Sequence, residues 1–224
     1  MEPRILLVGE SSEISKSIRA KALKSGYSIH TGYNNRTTEN ENDPTKTYVD
    51  STNPKSIENL ILRAKTTLGD IDHLIYTSGI SEKRWTTEEQ SWEELNKIIQ
   101  INLTGAIYAA TQFSKRIDSK NEKNKSIVLI SSESGEYGGK GISTYAATKA
   151  GLNTFARGYA RQLKSKNCGI NVVSPGKIGK NEKNKSSLME DQGTGNDVAE
   201  AVLWLISDQS SYCSGAKISI NGGN

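Results

Sequence analysis

Tyr145 and Lys149 stand four residues apart in the run Tyr145-Ala-Ala-Thr-Lys149. On a helix that spacing puts both side chains on one face, one turn apart. A lysine cation beside a phenol favours the phenolate and lowers the tyrosine pKa from about 10 toward neutrality. A tyrosine so placed can give and take protons at about pH 7. Taken alone the pair is weak, because the same spacing recurs in amphipathic helices that simply carry a solvated lysine. Ser132 strengthens it. This serine lies thirteen residues earlier, at the end of the apolar run Ser126-Ile-Val-Leu-Ile-Ser-Ser132, where a hydroxyl can hydrogen-bond a reacting carbonyl. Asn102 is set among Ile98, Ile101, Leu103 and Ile107, and must find polar partners if it is buried.

These side chains need elements to hold them. Short apolar runs predict strands at 4–9, 27–33, 46–50, 73–79, 126–132, 169–176 and 215–223. Helical patterns fall between them, at 12–26, 53–69, 91–117, 143–166 and 196–207. Asn53-Pro54 marks one helix start and Gly69 its stop, and Ser91 with Glu94 forms a capping box. This alternation predicts an α/β fold: a single Rossmann-like, doubly wound domain over residues 1–224, with a mostly parallel seven-stranded sheet and helices on both faces. Ligands then sit at the carboxyl ends of the strands, where the strand order reverses. The string Lys-Asn-Glu-Lys-Asn-Lys-Ser occurs at 120–126 and again at 180–186, and both copies read as polar surface loops.

Hydrophobic residues make up 34% of the chain, but they are clustered, which argues against disorder. No apolar run is long enough to cross a membrane, and a strand begins almost at once, without a signal-peptide pattern. Cys168 and Cys213 suggest neither a disulfide framework nor a metal site, and a cytoplasmic location is expected. The net charge of +4 is too small and too dispersed to point to nucleic acid.

With these motifs in place, the sequence resembles the short-chain dehydrogenase/reductase family over essentially its whole length. The resemblance is carried by Asp72-His-Leu-Ile-Tyr-Thr-Ser-Gly79, Ile101-Asn-Leu-Thr-Gly105, Ile127 to Gly135, Tyr145 to Leu152, Asn171-Val-Val-Ser-Pro-Gly-Lys-Ile178 and Ser214 to Gly223. It implies a catalytic set of Asn102, Ser132, Tyr145 and Lys149. Tyr145 would exchange the proton and Lys149 would tune it and hold ribose hydroxyls. Ser132 would bind the substrate oxygen, and Asn102 would hold a water linking Lys149 to solvent. A nicotinamide dinucleotide would lie along Gly9, Ser11, Ser12, Ile14, Arg36, Asp50, Ser51, Thr77, Gly79, Tyr145, Lys149, Pro175, Gly176 and Ile178. The resemblance is strongest to reductases of 3-oxoacyl thioesters. It implies a small or carrier-bound carbonyl substrate and a homodimer or homotetramer.

The chain departs from the family in its phosphate loop. The family's Gly-x-x-x-Gly-x-Gly reads here as Gly9-Glu-Ser-Ser-Glu13-Ile-Ser15. A carboxylate roughly 6 Å from a phosphate, at an effective dielectric near 20, costs about 3 kcal/mol unless it turns away. Ser11, Ser12 and the helix N-terminus offer compensation. If they do not suffice, the chain is a binding or assembly protein that has kept the fold and lost the cofactor. The second strand ends His30-Thr-Gly-Tyr-Asn-Asn-Arg36, with no acid at its tip, where relatives preferring NAD usually carry Asp. Arg36 just beyond could pair with a 2′-phosphate, so NADP(H) is expected over NAD(H). Lys180 takes the place of a threonine that often anchors the carboxamide. The segment 176–197 is shorter than usual, which suggests an open site. Tyr137, Trp85 and Tyr108 are candidate wall residues.

Overall fold

The computed structural model describes residues 2–34, 42–82, 87–117, 124–179, 189 and 192–223. The strands are β1 (Arg4–Val8), β2 (Ser28–Tyr33), β3 (Lys46–Tyr48), β4 (His73–Tyr76), β5 (Lys125–Ile130), β6 (Cys168–Pro175) and β7 (Lys217–Ile220). They form one sheet in the order β3-β2-β1-β4-β5-β6-β7, and every pairing is parallel. The order reverses between β1 and β4, so a crevice opens at their carboxyl ends.

Seven α-helices cover the described sheet: α1 (Glu13–Lys24), α2 (Pro54–Leu68), α3 (Trp92–Ile99), α4 (Gly105–Lys115), α5 (Ser134–Tyr137), α6 (Ser143–Leu163) and α7 (Gly195–Leu205). Strand alternation divides the core between the two faces. Leu6 and Val8 pack with Leu60, Ala106, Phe113, Leu152 and Ala156 from α2, α4 and α6. Ile5 and Leu7 pack with Ile18, Ala22, Val198 and Val202 from α1 and α7. Both faces of β1 are therefore covered, which is why its sequence is a continuous apolar run.

Two predicted elements change. The long helix expected over 91–117 is broken by a π-helical turn at Gln100–Thr104, which separates α3 from α4 and carries Asn102. The first copy of the repeated polar string is not all surface loop: Lys125 and Ser126 are buried in β5. Lys125 is drawn inside by Asp72, whose Oδ1 lies 2.7 Å from its Nζ. The second copy, at 180–186, lies outside the described residues. The short helix α5 after Ser132 was not predicted, since four residues carry no readable period.

Candidate active site

The catalytic candidates meet at the carboxyl ends of β4, β5 and β6. A cleft of about 600 Å³ is lined by Ser132, Tyr145 and Lys149, together with Ser12, Ile14, Thr77, Gly79, Pro175, Gly176 and Ile178. Ser132 follows β5, and its hydroxyl acts on the Tyr145 phenol in the direction that lowers the phenol's pKa. It also accepts the Ser134 N–H at 3.3 Å, at the start of α5. The first turn of α6 presents Tyr145, whose backbone N–H donates to Glu82 at 3.0 Å. Glu82 thus anchors the start of that helix.

Lys149 follows one helical turn later and is buried. Its Nζ donates to the Ile130 carbonyl at 2.8 Å and lies 5.3 Å from the centre of the Tyr145 ring. Burial lowers its pKa to about 8. The expected lowering of the Tyr145 pKa does not occur here. Burial raises it, the Ser132 hydroxyl works against that rise, and the Glu82 charge adds to it. The physical reason is placement: Lys149 stands over the ring and is hydrogen-bonded to Ile130, while the phenol sits in a desolvated wall near a carboxylate.

Asn102 is fully buried behind this wall. Its Nδ2 donates to the Ile80 carbonyl at 2.7 Å and to Thr148 Oγ1 at 3.2 Å, and its Oδ1 accepts from the Ile80 N–H at 2.8 Å. The side chain ties the segment after β4 to α6. It therefore acts as a latch, with its amide committed to Ile80 and Thr148.

A second cleft, of about 140 Å³, continues from the first through Ser12, Thr77, Gly79 and Ile80. Gly9, Glu10, Ser11, Asn34, Asp50 and Ser51 line the rest of it. Gly9 has φ +101°, and a Cβ there would come within 2.8 Å of Ser78 N and Thr77 Oγ1. Only glycine fits this approach. Thr77 Oγ1 in turn donates to the Val8 and Gly9 carbonyls, at 2.9 Å each. Ser12 caps α1 by accepting the Ser15 N–H at 3.1 Å. Ser15 is buried and donates back to the Ser12 carbonyl at 2.9 Å, so a small residue suffices where the family has its third glycine.

Glu13 lines neither cleft. Its Oε1 accepts the Gly195 N–H at 3.1 Å, the first residue of α7. Gly195 has room for no side chain, since a Cβ there would meet Ser17 Oγ at 2.7 Å and the Glu13 carbonyl at 2.8 Å. The carboxylate has turned toward the positive end of a neighbouring helix. The residues present therefore fit a pyrophosphate at the start of α1.

The two clefts together gather every predicted site residue except Asn102, which backs them, and Arg36. Arg36, Trp85 and Lys180 lie outside the described residues. Of the other wall candidates, Tyr137 is exposed and Tyr108 hydrogen-bonds Glu58, and neither lines either cleft. Ile142 and Ser134, which flank the motifs, do line the catalytic cleft, as does Glu133. Sequence position next to Tyr145 and Ser132 was their only available signal. Glu82 had none.

A profile described as Enoyl-(Acyl carrier protein) reductase matches residues 14–224. The chain belongs to the short-chain dehydrogenase/reductase family. It is 31% identical over 185 residues to the 3-oxoacyl-[acyl-carrier-protein] reductase FabG of Escherichia coli (strain K12), covering 77% of this chain and 74% of that one. The FabG of a Staphylococcus epidermidis strain is 26% identical over 251 residues, covering 100% and 99%. Among solved structures, one described as ElxO with NADP bound has a TM-score of 0.86 at 24% identity, covering 99% of this chain and 98% of that one. A short-chain type dehydrogenase/reductase from Mycobacterium ulcerans has a TM-score of 0.88 at 20% identity, covering 100% and 90%. Those two likenesses bear on the fold. Family membership makes the chain an oxidoreductase of CH–OH and carbonyl groups that uses a nicotinamide dinucleotide.

Proposed function

We propose that this chain is an NADPH-dependent carbonyl reductase whose general acid is Tyr145. The observation that carries the reading is the convergence of Ser132, Tyr145 and Lys149 on one cleft that runs on into the Gly9 loop. When bound there, the dihydronicotinamide supplies a hydride to the carbonyl carbon. Ser132 holds the carbonyl oxygen by a hydrogen bond and stabilises the negative charge that develops on it. Tyr145 gives its phenolic proton to that oxygen, completing the alcohol. With its pKa above the ordinary phenol value, Tyr145 is protonated at neutral pH, as a general acid must be. Lys149, charged below about pH 8, stabilises the tyrosinate left after proton transfer.

The rival reading, a fold that has lost its cofactor, drew its support from Glu13. The engagement of that carboxylate by Gly195 favours the enzyme instead. NADP(H) as the preferred form is supported by the absence of an acid at the tip of β2, where Tyr33 and Asn34 stand, and a 3-oxoacyl thioester substrate by the two FabG relatives. A homo-oligomer and a cytoplasmic location belong to the same reading. Among the described residues both cysteines are free, and no helix is long and apolar enough to cross a membrane.

The test is a fluorescence titration with NADPH and NADH, followed by turnover of a 3-oxoacyl thioester. Tyr145→Phe should keep dinucleotide binding and lose about a hundredfold or more in kcat. Unchanged NADPH fluorescence on titration, or an unimpaired Tyr145→Phe variant, refutes the proposal.

A further inference from the structure

In a doubly wound fold the adenosine ribose lies by the tip of the second strand. A carboxylate there accepts its 2′-hydroxyl, or an arginine takes its 2′-phosphate. Here β2 runs out into Tyr33 and Asn34, and neither carries a charge. Among the described residues the charges come from elsewhere. Glu10, in the loop after β1, lines the smaller cleft. Lys46, the first residue of β3, reaches it across the sheet, with Nζ 2.7 Å from Glu10 Oε1. The two side chains are only 17% and 9% exposed, so solvent screens them poorly. Glu10 Oε2 is buried and, among the described residues, has no hydrogen-bond partner. A buried acceptor in that condition is costly, and a ligand hydroxyl met by a small turn of the Glu10 side chain would relieve the cost.

We infer that the Glu10–Lys46 ion pair is this chain's reader of the adenosine 2′-position. The inference rests on the proposed cofactor reading and specifies its adenosine end. Glu10 accepts from a free 2′-hydroxyl and repels a 2′-phosphate. Lys46 attracts the phosphate, and its pairing with Glu10 restrains that attraction. The balance between them sets how strongly the phosphorylated dinucleotide is preferred, and either charge can be removed separately.

The probes are adenosine 5′-monophosphate and adenosine 2′,5′-bisphosphate, titrated calorimetrically against the full chain, with NADH and NADPH as the complete pair. Glu10→Gln keeps the side-chain shape and should raise the affinity ratio of bisphosphate to monophosphate by about tenfold. Lys46→Met should lower the same ratio by about tenfold. In the double variant the two effects should fail to add, as expected of groups in contact. Melting curves confirm that each variant is folded. If the ratio moves less than about threefold in both folded variants, the pair does not read the 2′-position. In that case wild-type binding leaves the cofactor reading standing. If wild-type chain binds neither adenosine probe nor either dinucleotide, both proposals fall together.

Discussion

Among the described residues two buried lysines stand at opposite ends of the sheet, Lys125 in β5 and Lys149 on α6, and they are handled in opposite ways. Lys125 and Lys149 are 2% and 3% exposed. Lys125, at the amino end, donates to Asp72 Oδ1 at 2.7 Å and to the Ile71 carbonyl at 3.2 Å. Asp72 Oδ2 also accepts the Arg4 N–H at 2.9 Å, so both carboxylate oxygens are engaged. Lys149, at the carboxyl end, has a backbone carbonyl and a ring face but, among the described residues, no carboxylate partner. Burying an ammonium costs free energy in both places. At the amino end an ion pair offsets that cost, and the lysine closes the bottom of the sheet. At the carboxyl end the cost is left in place, and the cation stays available to the cleft. A buried charge without a carboxylate partner is what the catalytic role proposed for Lys149 requires.

The sharpest way to break this contrast is to delete each lysine in turn. Lys125→Met leaves Asp72 buried without its cation and should destabilise the fold by about 3–5 kcal/mol in denaturant melts. Activity per folded molecule should be unchanged. If Lys125→Met is neutral, the amino-end pair has been misread.

Acid tests the amino end from another side. His73, the first residue of β4, is buried, and burial holds its pKa at about 4; His30 behaves likewise. The unfolded chain, with histidines near 6.5, binds these protons more readily. Stability is therefore intact above about pH 6.5 and falls as the pH drops toward 4, by about 3 kcal/mol per histidine. The slope should weaken in His73→Phe. An acid profile identical to wild type would refute the assignment.

Lys149→Met should have the opposite sign to Lys125→Met. The folded state holds this proton less tightly than the unfolded chain. Wild-type stability should therefore rise as the pH climbs from about 8 toward 10.5. Removing the cation should stabilise the fold at neutral pH by about 1–2 kcal/mol, net of the hydrogen bond lost at Ile130. Turnover should collapse. A destabilised Lys149→Met protein would erase the distinction between the two ends.

The smallest effect concerns Glu13. Glu13→Gly should cost about 1 kcal/mol by leaving the Gly195 N–H at the start of α7 without its acceptor. NADPH affinity should change by less than about threefold, because the carboxylate already faces Gly195. A hundredfold gain in affinity would restore the repulsion that the loop sequence suggests.

Much of the fold was legible because its signals are local. The apolar run of β1, the Asn53-Pro54 start, the Gly69 stop and the Ser91–Glu94 box each act within a few residues. The π-helical turn at Gln100–Thr104 was not legible, since one extra residue in a helical period barely disturbs the apolar pattern. At the site, Ser132, Tyr145 and Lys149 could be named from their spacing. Their electrostatics could not, because burial and the approach of Glu82 come from segments distant in the chain.

The sequence by itself determined the strand and helix order and the chemical types in the cleft. These follow from periodicity and spacing, which are properties of neighbouring residues. The tertiary structure alone decided where charges point. It turned Glu13 onto α7, joined Glu10 to Lys46 across the sheet, gave Lys125 a carboxylate and left Lys149 without one. Charges act through space and through the solvent excluded around them, and neither is written in the order of the chain.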